Sequence, residues 1–158
     1  MNFQDRLRIA FAVSLTLRLF IIALHDLIGI RGWVHGSQVK AVIGPRKVYW
    51  ATAINSLFPG LAAGFAIAAL FGPIPHIAAR YSMIYCAVTV ISAIAMWYVP
   101  YWMGTDEKTG REYRAMYAGT RHVLPARGDN PRPNLAHLCF HLLFVVNLGL
   151  ALALGLRS

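Results

Sequence analysis

Apolar residues in this chain come in four long blocks, at about 7–30, 48–71, 81–103 and 135–156, and most of the charge lies in the segments between them. Each block has the length of a membrane span, because the hydrocarbon core is about 30 Å thick and a helix rises 1.5 Å per residue, so about 20 apolar residues are needed. The blocks are continuous rather than alternating, which selects helices over strands; in lipid, every backbone amide must find its partner within its own helix or in a closed barrel. The pattern therefore predicts an all-α integral membrane protein, with four transmembrane helices in an antiparallel bundle and a single membrane domain over 1–158.

The block ends are punctuated. Gly44 and Pro45 precede the second span, Gly72, Pro73 and Pro75 follow it, and Asn134 is placed to cap the fourth. Within the longest connection, 104–134, Thr109 and Glu112 have capping-box spacing, Tyr113, Met116 and Tyr117 share one helical face, and Gly119 supplies a stop. A short interfacial helix over about 109–118 is expected there, followed by an extended lead through Pro125, Pro131 and Pro133 into the last span.

Composition agrees with the bilayer. Of 158 residues, 58% are hydrophobic, above the roughly 45 to 50% of ordinary soluble domains. The formal charge of +9 does not point to nucleic acid, since the bases flank apolar spans, where anionic headgroups already account for them. Cys86 and Cys139 fall inside spans with no CxxC, as buried free thiols would. Arg18 interrupts the first apolar block and no small-residue cleavage pattern follows, so that block is expected to stay as a span rather than leave as a signal peptide.

Lysine and arginine set the expected orientation. Arg6, Arg8, Arg80 and Arg157 make four on one side, against ten on the other: Arg31, Lys40, Arg46, Lys47, Lys108, Arg111, Arg114, Arg121, Arg127 and Arg132. The positive-inside rule then puts the first and third connections in the cytoplasm and both termini outside it, in a bacterial-type inner membrane. Trp33, Tyr49, Trp50, Trp97, Tyr98, Tyr101 and Trp102 all fall near that boundary, as an aromatic belt would.

Helices in lipid associate through close packing rather than hydrophobic burial. Gly60, Gly64, Ala68 and Gly72 recur every four residues along the second span, and Gly149 with Ala153 and Ala151 with Gly155 offer similar rows in the fourth. The seam on the second span is expected to join spans of one chain in preference to two copies.

Candidate chemistry gathers on one membrane face. Arg18 is an intramembrane charge, costly enough at about 2.5 to 3.5 kcal/mol to ask for a reason. His25 and Asp26 end the first span, while His137 and His141 form HxxxH at the start of the fourth, where i and i+4 spacing points both rings the same way. Antiparallel spans bring these four residues together as ligand or metal candidates, with His35, Glu112, Tyr113 and His122 around the mouth of the pocket. Imidazoles with a carboxylate suit a metal ion, and two histidines from different helices suit a haem iron. One HxxxH falls short of the several histidine boxes of membrane fatty-acid hydroxylases and desaturases, and phosphate-loop, GxSxG and HExxH motifs are absent. The leading expectation is an accessory or assembly subunit contacting lipids and other membrane subunits or itself. A metal- or haem-binding redox protein is the alternative, followed by a lipid-binding or lipid-modifying one.

Overall fold

The computed structural model describes residues 1–25, 27–28, 33 and 35–155. Helix α1, Phe3–His25, starts ahead of its apolar block because Asn2 and Asp5 close it reciprocally. The Asp5 N–H donates to Asn2 Oδ1 at 2.9 Å, and the Asn2 N–H donates to Asp5 Oδ2 at 3.0 Å. The first connection contains a further helix, α2, Gly36–Ile43. Gly44, at φ 87°, ends it. Pro45 then opens α3, Pro45–Ala68, at the one helical position where its missing N–H costs nothing.

The third span, His76–Met103, is one helical rod with a change of pitch. It runs as α4, His76–Ala93, a π turn at Ile94–Tyr98, and α5, Val99–Met103. Pro100 lies just past the π turn; it has no N–H to offer the carbonyl of Met96, four residues earlier. That carbonyl instead accepts from the Tyr113 hydroxyl at 3.5 Å. Helix α6, Glu107–Met116, fills the third connection, and α7, Leu135–Gly155, is the fourth span. The start of α6 differs from the Thr109–Glu112 capping box. Asp106 is the cap, accepting the Thr109 N–H at 3.0 Å, so the helix begins two residues earlier and Thr109 lies within its first turn. Bonds from the Thr109 side chain and backbone hold the Asp106 carboxyl below its ordinary pKa.

The four long helices close a ring in chain order: α1 packs on α3, α3 on α4, α4 on α7, and α7 back on α1. The first and fourth spans are therefore neighbours, as the antiparallel reading requires. Their shared core is Phe11, Ala12 and Leu15 from α1, Ala62, Ala63 and Ala66 from α3, Cys86 from α4 and Ala151 from α7. Small side chains dominate it, which lets the backbones approach closely. Cys86 is buried and Cys139 exposed, both as free thiols. At one end of the bundle α2 packs against α6, so the first and third connections meet there.

The small-residue seam faces the other way. Among the described residues, a Cβ added at Gly64 or Gly72 would meet no atom outside the adjoining backbone within 4 Å, and one at Gly60 would only reach Leu19 Cδ1 at 4.0 Å, while Ala68 is exposed. The expected intramolecular seam through Gly60, Gly64, Ala68 and Gly72 is thus replaced by Ala62, Ala63 and Ala66. The physical reason is angular: Val48, Thr52, Pro59, Ala62, Ala63 and Ala66 form the buried arc of α3, Gly60 lies at its edge, Gly64 and Ala68 lie on the exposed side, and Gly72 falls past the helix end. In the fourth span Ala151 is buried, and a Cβ added at the exposed Gly155 would lie 3.6 Å from Met83 Sδ.

This assignment predicts unequal responses along one helix. Ala63→Leu should destabilise the protein by about 1–3 kcal/mol through overpacking, whereas Gly64→Leu should leave it within about 0.5 kcal/mol of the parent, both read by thermal unfolding in detergent.

Candidate functional site

The start of α7 organises the polar end of the bundle. Pro131 and Pro133, both buried, deliver the chain to Asn134, whose side chain is fully buried. Its Oδ1 accepts the His137 N–H at 3.0 Å, which caps the helix, and also accepts from His137 Nδ1 at 2.7 Å. Its Nδ2 donates to the Trp33 carbonyl, in the first connection, at 3.2 Å. With the amide so oriented, the proton of His137 sits on Nδ1. His25 has the same tautomer, since its Nδ1 donates to the Ile22 carbonyl at 2.9 Å. His141 Nδ1 lies 3.2 Å from the Tyr98 hydroxyl.

Three of the predicted residues are therefore brought together. The rings of His25 and His137 have centroids 6.0 Å apart, and those of His137 and His141 6.2 Å apart. They meet inside an aromatic cluster rather than around an open centre. Trp97 covers His137 at 3.9 Å between centroids, Tyr117 meets it edge-on at 5.1 Å, and Phe140 stands 5.0 Å from His25. The π turn is what sets Trp97 here: it is 9% exposed, so it and the buried Tyr101 belong to the interior rather than to the aromatic belt. Trp33, Tyr49, Trp50 and Trp102 keep exposed positions consistent with such a belt.

Asp26, predicted as a further ligand, lies outside the described residues. Among the described residues, no three His, Cys, Asp or Glu side chains are grouped so as to hold a metal ion.

The predicted mouth residues separate. Tyr113 and His122 line a cavity of about 310 Å³ between α6 and the returning segment that leads to α7, together with Arg114, Tyr117 and Arg132. His35 sits at the seam between connections, its Nε2 3.8 Å from where a Gly119 Cβ would be. Glu112 is half-buried and does not line the cavity. His122 bridges the returning segment, with Nδ1 3.2 Å from the Pro133 carbonyl and Nε2 3.4 Å from Thr120 Oγ1.

Deeper in the bundle, Arg18 is 1% exposed. Its guanidinium lies over the Phe144 ring at 4.1 Å and the Tyr85 ring at 4.5 Å, so cation–π contacts take the place of a carboxylate. Among the described residues its Nε and Nη1 have no hydrogen-bond partner, and neither do Ser14 Oγ, one turn away, or the two amide atoms of Asn147, one turn beyond Phe144. Asn147 was open to discovery as a polar residue inside an apolar block, but being uncharged it lacked the signal that marked Arg18. No family model, curated protein or solved structure matches the chain.

Burial depresses the pKa of His122 below its ordinary 6.5, and the nearby Arg132 charge adds to the effect. The unfolded chain then takes up the proton first as pH falls. The His122 contribution to stability is complete above pH 6.5 and is lost as pH drops through the folded-state value. Thermal melts of His122→Gln should accordingly fall less steeply below that pH than those of the parent protein.

Proposed function

We propose that this chain is a membrane-embedded assembly subunit, which binds a transmembrane helix of another membrane subunit along α3 rather than turning over a substrate. The observation that carries the reading is the open seam of Gly60, Gly64 and Ala68, with Gly72 just past the helix end, where among the described residues no atom outside the adjoining backbone comes within 4 Å of a Cβ at Gly64 or Gly72. A face of small residues that its own bundle does not use suits the close approach of another helix. The same face continues towards the first connection as a mostly apolar groove lined by Pro45, Arg46, Tyr49, Trp50 and Ala53. The histidines favour a structural role as well, because His137 and His141 pack against Trp97 and His25 against Phe140, inside an aromatic cluster. The bundle sits in a bacterial-type inner membrane, with the end that carries α2 and α6 facing the cytoplasm and lipids covering the remaining apolar faces.

Mild detergent extraction from native membranes followed by light-scattering mass analysis tests this. The protein should run as an assembly heavier than the single 17.5 kDa chain, and Gly64→Leu should release it as a monomer of unchanged thermal stability. A mass that matches a homodimer would make the partner a second copy. A monomer before substitution, or a Soret band or stoichiometric metal that disappears on His137→Ala, would overturn the proposal.

A further inference from the structure

We propose that the cavity between α6 and the returning segment binds a phosphate-bearing ligand, carried either on an anionic phospholipid headgroup or on a free phosphate compound. It is distinct from the α3 face and stands independently of the assembly reading. The cavity is about 310 Å³, large enough for a phosphate and its first substituents, and its two walls each present a guanidinium, Arg114 from α6 and Arg132 from the returning segment.

Neither guanidinium is used up by the fold. Arg114 Nη1 donates to the Asp129 carbonyl at 2.8 Å and Arg132 Nη1 to the Leu124 carbonyl at 3.4 Å. These anchors hold the two side chains in place, while a guanidinium carries five N–H donors in a planar fork suited to paired phosphate oxygens. The one carboxylate among the lining residues, Asp129, lies 3.8 Å from Arg114 Nη1, but its side chain is 95% exposed and so turns mainly to solvent. Its partial neutralisation of Arg114 leaves the site with a net positive lining.

The walls are built before any ligand arrives. Thr120 Oγ1 donates to the Tyr117 carbonyl at 2.7 Å, His122 holds the Pro133 carbonyl, and Asp106 caps α6. Preorganisation of this kind spares a ligand the entropy of ordering the site. Depth supplies the reason for phosphate in particular. Tyr113 and Tyr117 line the cavity and also contact Trp97, near the end of the third span, with ring centroids 5.1 and 5.5 Å apart. The cavity therefore lies beside the span ends, at the level where phospholipid phosphates reside.

The test compares Arg114→Gln/Arg132→Gln with Arg111→Gln, a change at an exposed arginine that pairs with Glu107 outside the cavity. Native mass spectrometry of protein released from mixed phosphatidylcholine–phosphatidylglycerol nanodiscs reads lipid retention, and calorimetric titration with inorganic phosphate reads the free ion. Retained phosphatidylglycerol, reduced about tenfold in the double variant and unchanged in Arg111→Gln, would establish a headgroup site for which paired guanidinium contacts are the determinant. Saturable heat with inorganic phosphate, lost in the same variant, would establish a free phosphate compound as the source. Arg132→Lys, which keeps the charge and loses the fork, should bind at an intermediate level and covers the case in which the double variant fails to fold. No binding of either probe, or an equal loss in Arg111→Gln, would overturn the proposal.

Discussion

The side-chain amide of Asn134 is the joint on which the polar end of this bundle depends. It is 0% exposed, so each of its groups would be costly to bury without a partner. All are satisfied: the oxygen caps α7 and fixes the His137 tautomer, and the nitrogen holds the first connection at Trp33. One residue thereby ties together the third connection, the first connection and the fourth span. The positions of His137 under Trp97, of His25 against His137, and of the cavity above them all follow from that attachment.

Below the joint the bundle is built in tiers along the membrane normal. The connection tier holds the arginine-lined cavity. Beneath it the aromatic tier packs three imidazoles among Trp97, Tyr117 and Phe140, with Trp97 covering His137 and the other two rings meeting the imidazoles edge-on. The lowest tier holds Arg18 between Phe144 and Tyr85, near the alanine-rich core. Polar groups inside a membrane span are costly, and here some are compensated while Ser14 and the Asn147 amide are buried without a hydrogen-bond partner among the described residues. The Arg18 guanidinium is compensated by aromatic faces, and no Asp or Glu is buried among the described residues.

Much of this was legible in the linear pattern, because bilayer thickness imposes a length on apolar blocks and alternating spans bring the ends of the chain together. The HxxxH pair and His25 were found by that reasoning, as were Tyr113 and His122 beside the cavity. What escaped was local or angular. Asp106 displaced Thr109 as the cap of α6 because an acceptor directly before a helix competes with one inside its first turn. The π turn ahead of Pro100 rotated Trp97 inward, and no hydrophobic period announces such a turn. The Gly60–Gly64 spacing identified a smooth face on α3 without saying which way it pointed; the buried arc runs through Ala62, Ala63 and Ala66 instead. Arg114 and Arg132 looked like two more bases in a basic connection until the returning segment set them on facing walls.

The joining of the first and third connections at one end of the bundle is the claim on which the site rests. In a background lacking the native thiols, single cysteines at His35 and His122, labelled with a membrane-impermeant maleimide in intact cells and in inverted vesicles, test it most directly. The fold requires both positions to react from the same face, and labelling of one from each side of the membrane would contradict it.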